Sequence, residues 1–177
     1  MKKYELTKET KVIGGKTLFR IRALRSFGDI KAGDLGGFIE NERNLSHEDN
    51  AWVSGNAKVI DNARVSDNAL VSDNARVSGE TWVGGNARVD GNARVGGDAR
   101  VNGDAMVGGN AQVEGNAWVS GDARVEDNAR VDGDARVDGD AWVDGDAWVD
   151  GNAQVSGDGL INSNNDYLCE KGLGSHN

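Results

Sequence analysis

The segment Asn56-Ala57-Lys58-Val59-Ile60-Asp61 is one of 19 consecutive hexads that fill residues 50–163 of this 177-residue chain without an insertion. Most hexads have the form (Asn/Asp)-Ala-x-Val-x-(Gly/Asp). The valine position recurs every six residues from Val53 to Val155, and the alanine position is interrupted only at Thr81 and Gly159. An unbroken period of six indicates a repeat architecture, in which each unit buries its apolar side against its neighbours.

Elementary strand geometry converts one hexad into a structure. Alternate side chains of a strand point to opposite faces, so Ala57 and Val59 point inward when Lys58 points outward. The next three residues, 60–62, turn the chain, because Asp, Asn and Gly tolerate positive φ. Three hexads close an 18-residue triangular coil, and 19 hexads make just over six coils, or about 30 Å at the ~4.8 Å strand spacing. The prediction is an all-β, single-stranded parallel β-helix whose coils are stabilised by stacking.

The pattern divides the chain into three regions. Residues 1–49 carry no hexads, residues 50–163 carry all of them, and residues 164–177 form a polar tail. Apolar runs on both sides of Gly14-Gly15 are typical of a β-hairpin. We interpret residues 1–49 as a small N-terminal β cap, because the first coil would otherwise expose an unpaired sheet edge. A separate binding module is the alternative.

Composition limits the function. The net charge of −9 argues against nucleic acid as a partner, because phosphate backbones repel an acidic protein. Cys169 is the single cysteine, so an intrachain disulfide is excluded and no oxidising compartment is indicated. The N-terminus shows no signal-peptide pattern, and no apolar run approaches the ~20 residues of a membrane span. We therefore expect a cytoplasmic protein without a membrane partner.

A second motif precedes the hexads. Residues 27–40 read Phe27-Gly28-Asp29-Ile30-Lys31-Ala32-Gly33-Asp34-Leu35-Gly36-Gly37-Phe38-Ile39-Glu40, and Asn44-Leu45-Ser46-His47 follows. With the hexads, this motif resembles a family of bacterial and phage or prophage hexapeptide-repeat proteins, often labelled putative transferases or polymer-forming proteins. The resemblance covers nearly the whole chain and implies a left-handed β-helix, in the bacterial host cytoplasm if phage-encoded. It brings no established activity. Residues 166–177 resemble the start of a further small C-terminal domain.

An enzymatic function would need reactive side chains in suitable places. Hexapeptide acyltransferases, which the repeat pattern also resembles, use a catalytic His in a cleft between subunits. Here only His47 and His176 are present, no hexad contains His or Cys, and no loop interrupts the coils. A zinc site of three His within one chain is excluded. We predict a non-enzymatic structural or binding rod; the alternative is an acyltransferase-like enzyme using CoA donors, with His47 at a subunit interface.

Three outer faces follow from the repeat, because the residue after each alanine points outward and residues 18 apart lie above one another. The first face is the column Trp52, Leu70, Arg88, Met106, Arg124, Trp142 and Leu160. The second face is the column Lys58, Arg76, Arg94, Gln112, Arg130 and Trp148. The third face is the column Arg64, Trp82, Arg100, Trp118, Arg136 and Gln154.

All five tryptophans occupy face centres. Aromatic and Arg residues are enriched at interfaces, although Trp also suits any β surface. We expect a homo-oligomer, dimer or trimer, through the first face, with an unknown protein partner as the alternative. On the third face, neighbouring Arg and Trp can form cation–π pairs, and the face suits the stacking of bases or sugars. The predicted interface or ligand residues are Trp52, Met106, Trp142, Arg64, Trp82, Arg100, Trp118 and Arg136.

One corner of the coil carries a column of carboxylates. Its members are Asp104, Asp122, Asp140 and Asp158. Neighbours ~4.8 Å apart repel one another unless something relieves the repulsion. Weak Ca²⁺ binding is one hypothesis, since Ca²⁺ takes six to eight oxygen ligands in flexible geometry. The other is a solvated acidic edge that keeps the rod soluble. No other cofactor is expected.

Overall fold

The computed structural model describes residues 2–162 and the backbone of residues 167–168. Apart from one short 3-10 helix, the regular structure of these residues consists of β-strands arranged in three sheets. Each sheet is one side of a solenoid of about seven turns. The prediction of an all-β parallel β-helix is therefore confirmed.

The N-terminal residues form an antiparallel cap. Strands β1 (Tyr4–Ile13) and β2 (Lys16–Ala23) make the predicted hairpin around Gly14-Gly15, whose two glycines have positive φ. Strand β3 (Leu35–Ile39) pairs antiparallel with β2, and the 3-10 helix Glu42–Asn44 follows it.

Each hexad then contributes one strand of two residues, its outward residue and its valine, numbered β4 to β22 in chain order. The first-face sheet contains β4 (Trp52–Val53), β7 (Leu70–Val71), β10 (Arg88–Val89), β13 (Met106–Val107), β16 (Arg124–Val125), β19 (Trp142–Val143) and β22 (Leu160–Ile161). The second-face sheet continues from β1, β2 and β3 of the cap into β5 (Lys58–Val59), β8 (Arg76–Val77), β11 (Arg94–Val95), β14 (Gln112–Val113), β17 (Arg130–Val131) and β20 (Trp148–Val149). The third-face sheet contains β6 (Arg64–Val65), β9 (Trp82–Val83), β12 (Arg100–Val101), β15 (Trp118–Val119), β18 (Arg136–Val137) and β21 (Gln154–Val155).

The strand register agrees with the predicted columns. Arg100 pairs in parallel with Trp82 on one side and Trp118 on the other, and the same 18-residue register holds on the other two faces. The last strand, β23 (Tyr167–Leu168), pairs in parallel with β20. The expectation of a further C-terminal domain from residue 164 onward lies outside the described residues, except for the backbone of this strand.

The corners rest on backbone conformations that glycine accepts readily. Every sixth residue from Asp49 to Gly157 has positive φ. At Gly97, where φ is +66°, an added Cβ would also lie 2.6 Å from the carbonyl oxygen of Gly115 in the next coil. Gly is therefore favoured there by conformation and by space, and Asp replaces it at five of these corners, including Asp61 and Asp127.

The interior is the predicted column of small aliphatic side chains. Val101 is fully buried, and its strand pairs with those of Val83 and Val119 in the adjacent coils. Thr81 takes an alanine position; it is buried, and its hydroxyl donates to the carbonyl oxygen of Ser78 at 2.6 Å. This buried polar side chain is thus satisfied by its own corner.

The cap continues the solenoid by one turn. Ile39 in β3 pairs in parallel with Val59, and Leu45 forms a bridge to Val65, so this turn is 20 residues long instead of 18. The cap approaches the first coil closely: an added Cβ on Gly36 would lie 2.4 Å from Cγ1 of Ile21. The glycine pair that begins with Gly36 therefore serves close packing of backbone against neighbours.

Candidate ligand-binding faces

The third face carries alternating Arg and Trp side chains. Trp82 is 40% exposed, Trp118 is half-buried, and the three arginines of the column are exposed. The guanidinium of Arg136 lies 5.3 Å from the centroid of the Trp118 ring, which confirms one of the cation–π pairs expected from the sequence.

Both tryptophans of the third face are held in the same way. The indole N–H of Trp82 donates to Oγ of Ser66 at 2.9 Å, and that of Trp118 donates to Oδ1 of Asn102 at 3.4 Å. In each case the acceptor lies 16 residues earlier in the chain, at the corner of the preceding coil. The two rings therefore have equivalent anchoring two coils apart, which is a repeated arrangement on one face.

Two depressions surround these rings. The first has a volume of about 630 Å³, and the second about 480 Å³. The depressions of the second face measure about 140 and 40 Å³. The first is lined by Asn62, Arg64, Glu80, Thr81, Trp82 and Arg100. The second is lined by Asp98, Arg100, Asn116, Trp118, Asp134 and Arg136. Arg100 lies between the two and borders both.

The arginines of the faces make no ion pair within residues 2–162, where every salt bridge uses a cation of the cap. The carboxylates of the repeats lie in the corner columns instead. Arg64 and Arg100 accordingly present their guanidinium groups to solvent with no carboxylate of this part of the chain bound to them. Such groups are available to an anionic ligand.

The first face is the more apolar surface. Leu70, Trp142 and Leu160 are exposed, Met106 is half-buried, and the guanidinium of Arg124 lies 5.7 Å from the Trp142 ring centroid. This composition agrees with an interface, but the assembly itself stays a prediction.

The assignment of one residue, Trp52, to the first-face interface was wrong. Trp52 was expected to form part of the interface, but only 2% of it is exposed. The cap covers it: its ring makes edge-to-face contacts with Phe27, at 5.4 Å between centroids, and with Tyr4, at 6.4 Å. Trp52 therefore joins cap to solenoid, and the free first face begins at Leu70.

His47 packs in the cap. Its ring stacks on Tyr4 at 4.3 Å, and Nδ1 accepts a hydrogen bond from the Lys3 backbone N–H. Nε2 lies 3.9 Å from a Glu42 carboxylate oxygen and has no hydrogen-bond partner. Burial lowers the pKa of His47 despite the opposing effect of Glu42. These contacts agree with a packing role for the imidazole.

Lys3 is a buried cation that the sequence did not reveal. It has no solvent-exposed surface, and its ammonium donates to the carbonyl oxygens of Ala51 at 2.8 Å and Glu48 at 3.0 Å. Burial lowers the pKa of Lys3 to about 8, and the charge of Arg25 acts in the same direction. The ammonium satisfies the carbonyl groups of the segment that leads into the first coil. Lys3 therefore helps the cap to close the N-terminal end of the solenoid.

The corners are joined by side-chain ladders. Asn50, Asn68 and Asn86 each donate to the side chain 18 residues later, and the last of these bonds reaches Asp104 at 2.7 Å. Beyond that point the column is acidic. Desolvation raises the pKa of Asp122, and so do the neighbouring carboxyls of Asp104 and Asp140. The predicted carboxylate ladder is thus present over these three residues.

A metal site at this corner stays a prediction. Among residues 2–162 no group of three or more His, Cys, Asp or Glu side chains converges in a way that would hold a metal ion. Asp158 continues the column as an exposed side chain. In the same residues no helix is long and apolar enough to cross a membrane.

The chain is similar to known β-solenoids. A family model described as the YdcK beta solenoid repeat matches residues 63–79, 71–85 and 93–109. A solved structure, serine acetyltransferase isoform 3 from Entamoeba histolytica in complex with cysteine, aligns at 10% identity and a TM-score of 0.36. That alignment covers 58% of this chain and 38% of that one, and a likeness this weak says nothing of function. No curated protein matches the sequence.

Proposed function

We propose that the protein is a non-enzymatic β-helical rod that binds other molecules through its flat faces and associates with a second copy through the first face. The observation that carries the proposal is the exposed apolar column of Leu70, Trp142 and Leu160, with Met106 half-buried among them. Exposed aromatic and aliphatic groups on a rigid, flat sheet lose little entropy when they are covered.

The order of residues along the first face favours an antiparallel pair with two-fold symmetry. An axis between Met106 and Arg124 brings Leu70 of one copy to Leu160 of the other. The same axis places Arg88 opposite Trp142, and Met106 opposite Arg124. Apolar Leu70 then meets apolar Leu160, Arg88 meets the Trp142 ring, and no two arginines meet. Such an isologous contact closes on itself and gives a dimer.

Light scattering of the full chain tests the assembly. We expect a dimer that dissociates when Met106→Glu and Trp142→Glu are combined, because carboxylates would be desolvated at the centre of the contact. Trp148→Glu on the second face is the matched control, since Trp148 and Trp142 are equally exposed, at 39% and 40%. A monomer for the parent chain at high concentration would exclude self-association.

Cross-linking tests the register. In a Cys169→Ser background, Leu70→Cys with Leu160→Cys should give a disulfide-linked dimer, because the antiparallel contact brings these two positions together. Leu70→Cys alone is the control and should form no disulfide-linked dimer on oxidation. If the single variant cross-links as well as the double, the copies lie parallel and the proposed axis is wrong.

Acyl transfer is the alternative function. It would use His47 at a subunit interface with a CoA donor. Nε2 of His47 has no hydrogen-bond partner, but it is buried and would have to become exposed to reach a substrate. Calorimetry with acetyl-CoA distinguishes the two functions. A rod without enzymatic function should show no binding, whereas binding that His47→Gln abolishes would favour the enzyme.

A further inference from the structure

The third face has a regular spacing that a polymer can match. Trp82 and Trp118 lie two coils apart, ~9.6 Å along the solenoid axis at the strand spacing. Arg64, Arg100 and Arg136 repeat at the same interval, displaced by one coil. The face therefore offers an aromatic platform and a cation in each repeat of about 10 Å. An extended β-linked disaccharide repeats over a length of this order.

The chemistry beside each platform suits a sugar. A pyranose ring stacks its C–H face on an indole and extends hydroxyl groups sideways to polar side chains. Glu80 and Asn62 lie beside Trp82 in the first depression, and Asp134 and Asn116 lie beside Trp118 in the second. These carboxylate and amide oxygens accept hydrogen bonds from hydroxyl groups.

The arginines specify an anionic polymer of low charge density. Arg64 and Arg100 have no carboxylate bound within residues 2–162, so they are free to pair with a ligand's acid groups. A single-stranded nucleic acid fits less well, because it carries one phosphate per nucleotide and would place some of them near Glu80, Asp98 and Asp134. One acid group per disaccharide matches one arginine per two coils.

We infer that the third face binds an extended acidic polysaccharide with one carboxylate per disaccharide, whose rings stack on Trp82 and Trp118 while Arg100 binds the carboxylate between them. The inference rests on the proposed function only in treating the faces as binding surfaces. It concerns a different face from the dimer contact.

Calorimetry at low salt on the full chain tests this inference. The probe is a hyaluronan octasaccharide, with a neutral cello-oligosaccharide of equal length and oligo(dT) as comparisons. Hyaluronan should bind more tightly than either. Trp82→Ala should weaken binding at least about fivefold through lost stacking. Trp148→Ala on the second face is the matched control and should leave the affinity unchanged.

The arginine is tested separately. Arg100→Gln should weaken hyaluronan binding about fivefold at low salt and less at high salt, because salt screens the lost ion pair. It should not change binding of the neutral sugar, and Arg94→Gln on the second face should have no effect on either.

Three results would overturn the inference: no binding of hyaluronan, tighter binding of oligo(dT) than of hyaluronan, or equal losses in the control variants. Light scattering of the same samples measures independently whether the chain forms a dimer through its first face. A dimer that fails to bind hyaluronan therefore refutes the ligand and leaves the self-association standing.

Discussion

The cap and the solenoid arrange charged groups in opposite ways. In the cap, Lys2 pairs with Glu42, Arg22 with Glu5, and Lys3 is buried against backbone carbonyls. In the hexads, arginines occupy face centres, Asp and Asn occupy corners, and the described face arginines make no ion pair. Several charges of the cap are paired, whereas the described face arginines of the solenoid are exposed to solvent.

The difference follows from periodicity. In the solenoid each side chain stacks on its equivalents 18 residues away, so like groups form columns: amide ladders such as Asn68 to Asn86 at the corners, and Arg or Trp on the faces. The cap has no repeat, so charged groups of opposite sign can meet there, as in the ion pairs of Lys2 with Glu42 and Arg22 with Glu5. Repetition therefore produces surfaces on which equivalent side chains recur at a regular spacing. The non-repetitive cap covers the end of the solenoid instead.

The largest difference between the solenoid and the cap is expected in how well their interiors tolerate a charged group. Val101→Asp would bury a carboxylate among aliphatic side chains with no donor nearby, and should cost about 3–5 kcal/mol of unfolding free energy. The cap tolerates its buried Lys3 because carbonyl oxygens surround the ammonium. Thermal unfolding measures the effect.

Gln154→Asp is the control for that variant. It makes the same change of charge at an exposed position of the third face and should alter the unfolding free energy by less than about 0.5 kcal/mol. A soluble Val101→Asp variant with an unchanged melting temperature would show that Val101 does not point inward.

Adjacent glycines give the next largest contrast. Gly97→Ala should cost about 1–3 kcal/mol, because φ is positive and the new Cβ would press on the Gly115 carbonyl. At Gly96, φ is not in the left-handed region, and a Cβ would make an ordinary 3.5 Å contact with Ser78. Gly96→Ala should therefore be nearly neutral in urea unfolding. Equal losses for the two variants would refute the corner geometry.

The buried Lys3 makes cap stability depend on pH. Its pKa of about 8 lies below the unfolded value of 10.5, so between these values the unfolded chain binds the extra proton and stability rises with pH. We expect a gain of about 1–2 kcal/mol from pH 7.5 to 9.5. The measurement ends at pH 9.5 because burial also raises the pKa of Tyr4. Above that pH the tyrosine ionises more readily in the unfolded chain, which lowers the stability of the folded protein.

Two lysine variants isolate this effect in urea unfolding. Lys3→Met should flatten the rise between pH 7.5 and 9.5, because no buried ammonium remains to lose its proton. Lys2→Met should keep the rise, since the Lys2 side chain is 60% exposed and pairs with Glu42 at the surface. A rise that persists in Lys3→Met would assign the pH dependence to another group.

The smallest expected effect concerns the acidic corner. The pKa of Asp122 is raised in the folded state. The stability that Asp122 contributes is therefore present at low pH and is lost as the pH rises through its pKa in the folded protein. Asp122→Asn with Asp140→Asn should therefore raise the melting temperature slightly at pH 7, by no more than about 2 °C. The rise should vanish near pH 3, where the raised pKa keeps the Asp122 carboxyl protonated.

The calcium hypothesis is tested on the same pair of proteins. If the corner binds Ca²⁺, CaCl₂ raises the melting temperature of the parent chain more than NaCl of equal ionic strength, and the double variant loses the difference. Equal effects of the two salts on the parent chain would show a solvated acidic edge that is only screened.

The repeat made most of the solenoid predictable. The inward direction of Val101, the composition of each face, the positive φ of the corners and the hairpin around Gly14-Gly15 all agree with the structure. The added turn formed by Ile39 and Leu45 escaped prediction, because its 20-residue length and its glycine pair hide the hexad pattern.

Periodicity by itself determined which side chains share a column, because the parallel backbone ladder stacks residues 18 apart wherever the hexad continues. Only the tertiary structure decided which members of a column are exposed to solvent and which are covered by the cap. Trp52 and Trp142 occupy equivalent positions, yet the first is covered by Phe27 and Tyr4 and the second is exposed. The cap lacks the repeat, so its folding over one end, with Lys3 buried beneath it, depends on long-range packing that no local pattern encodes.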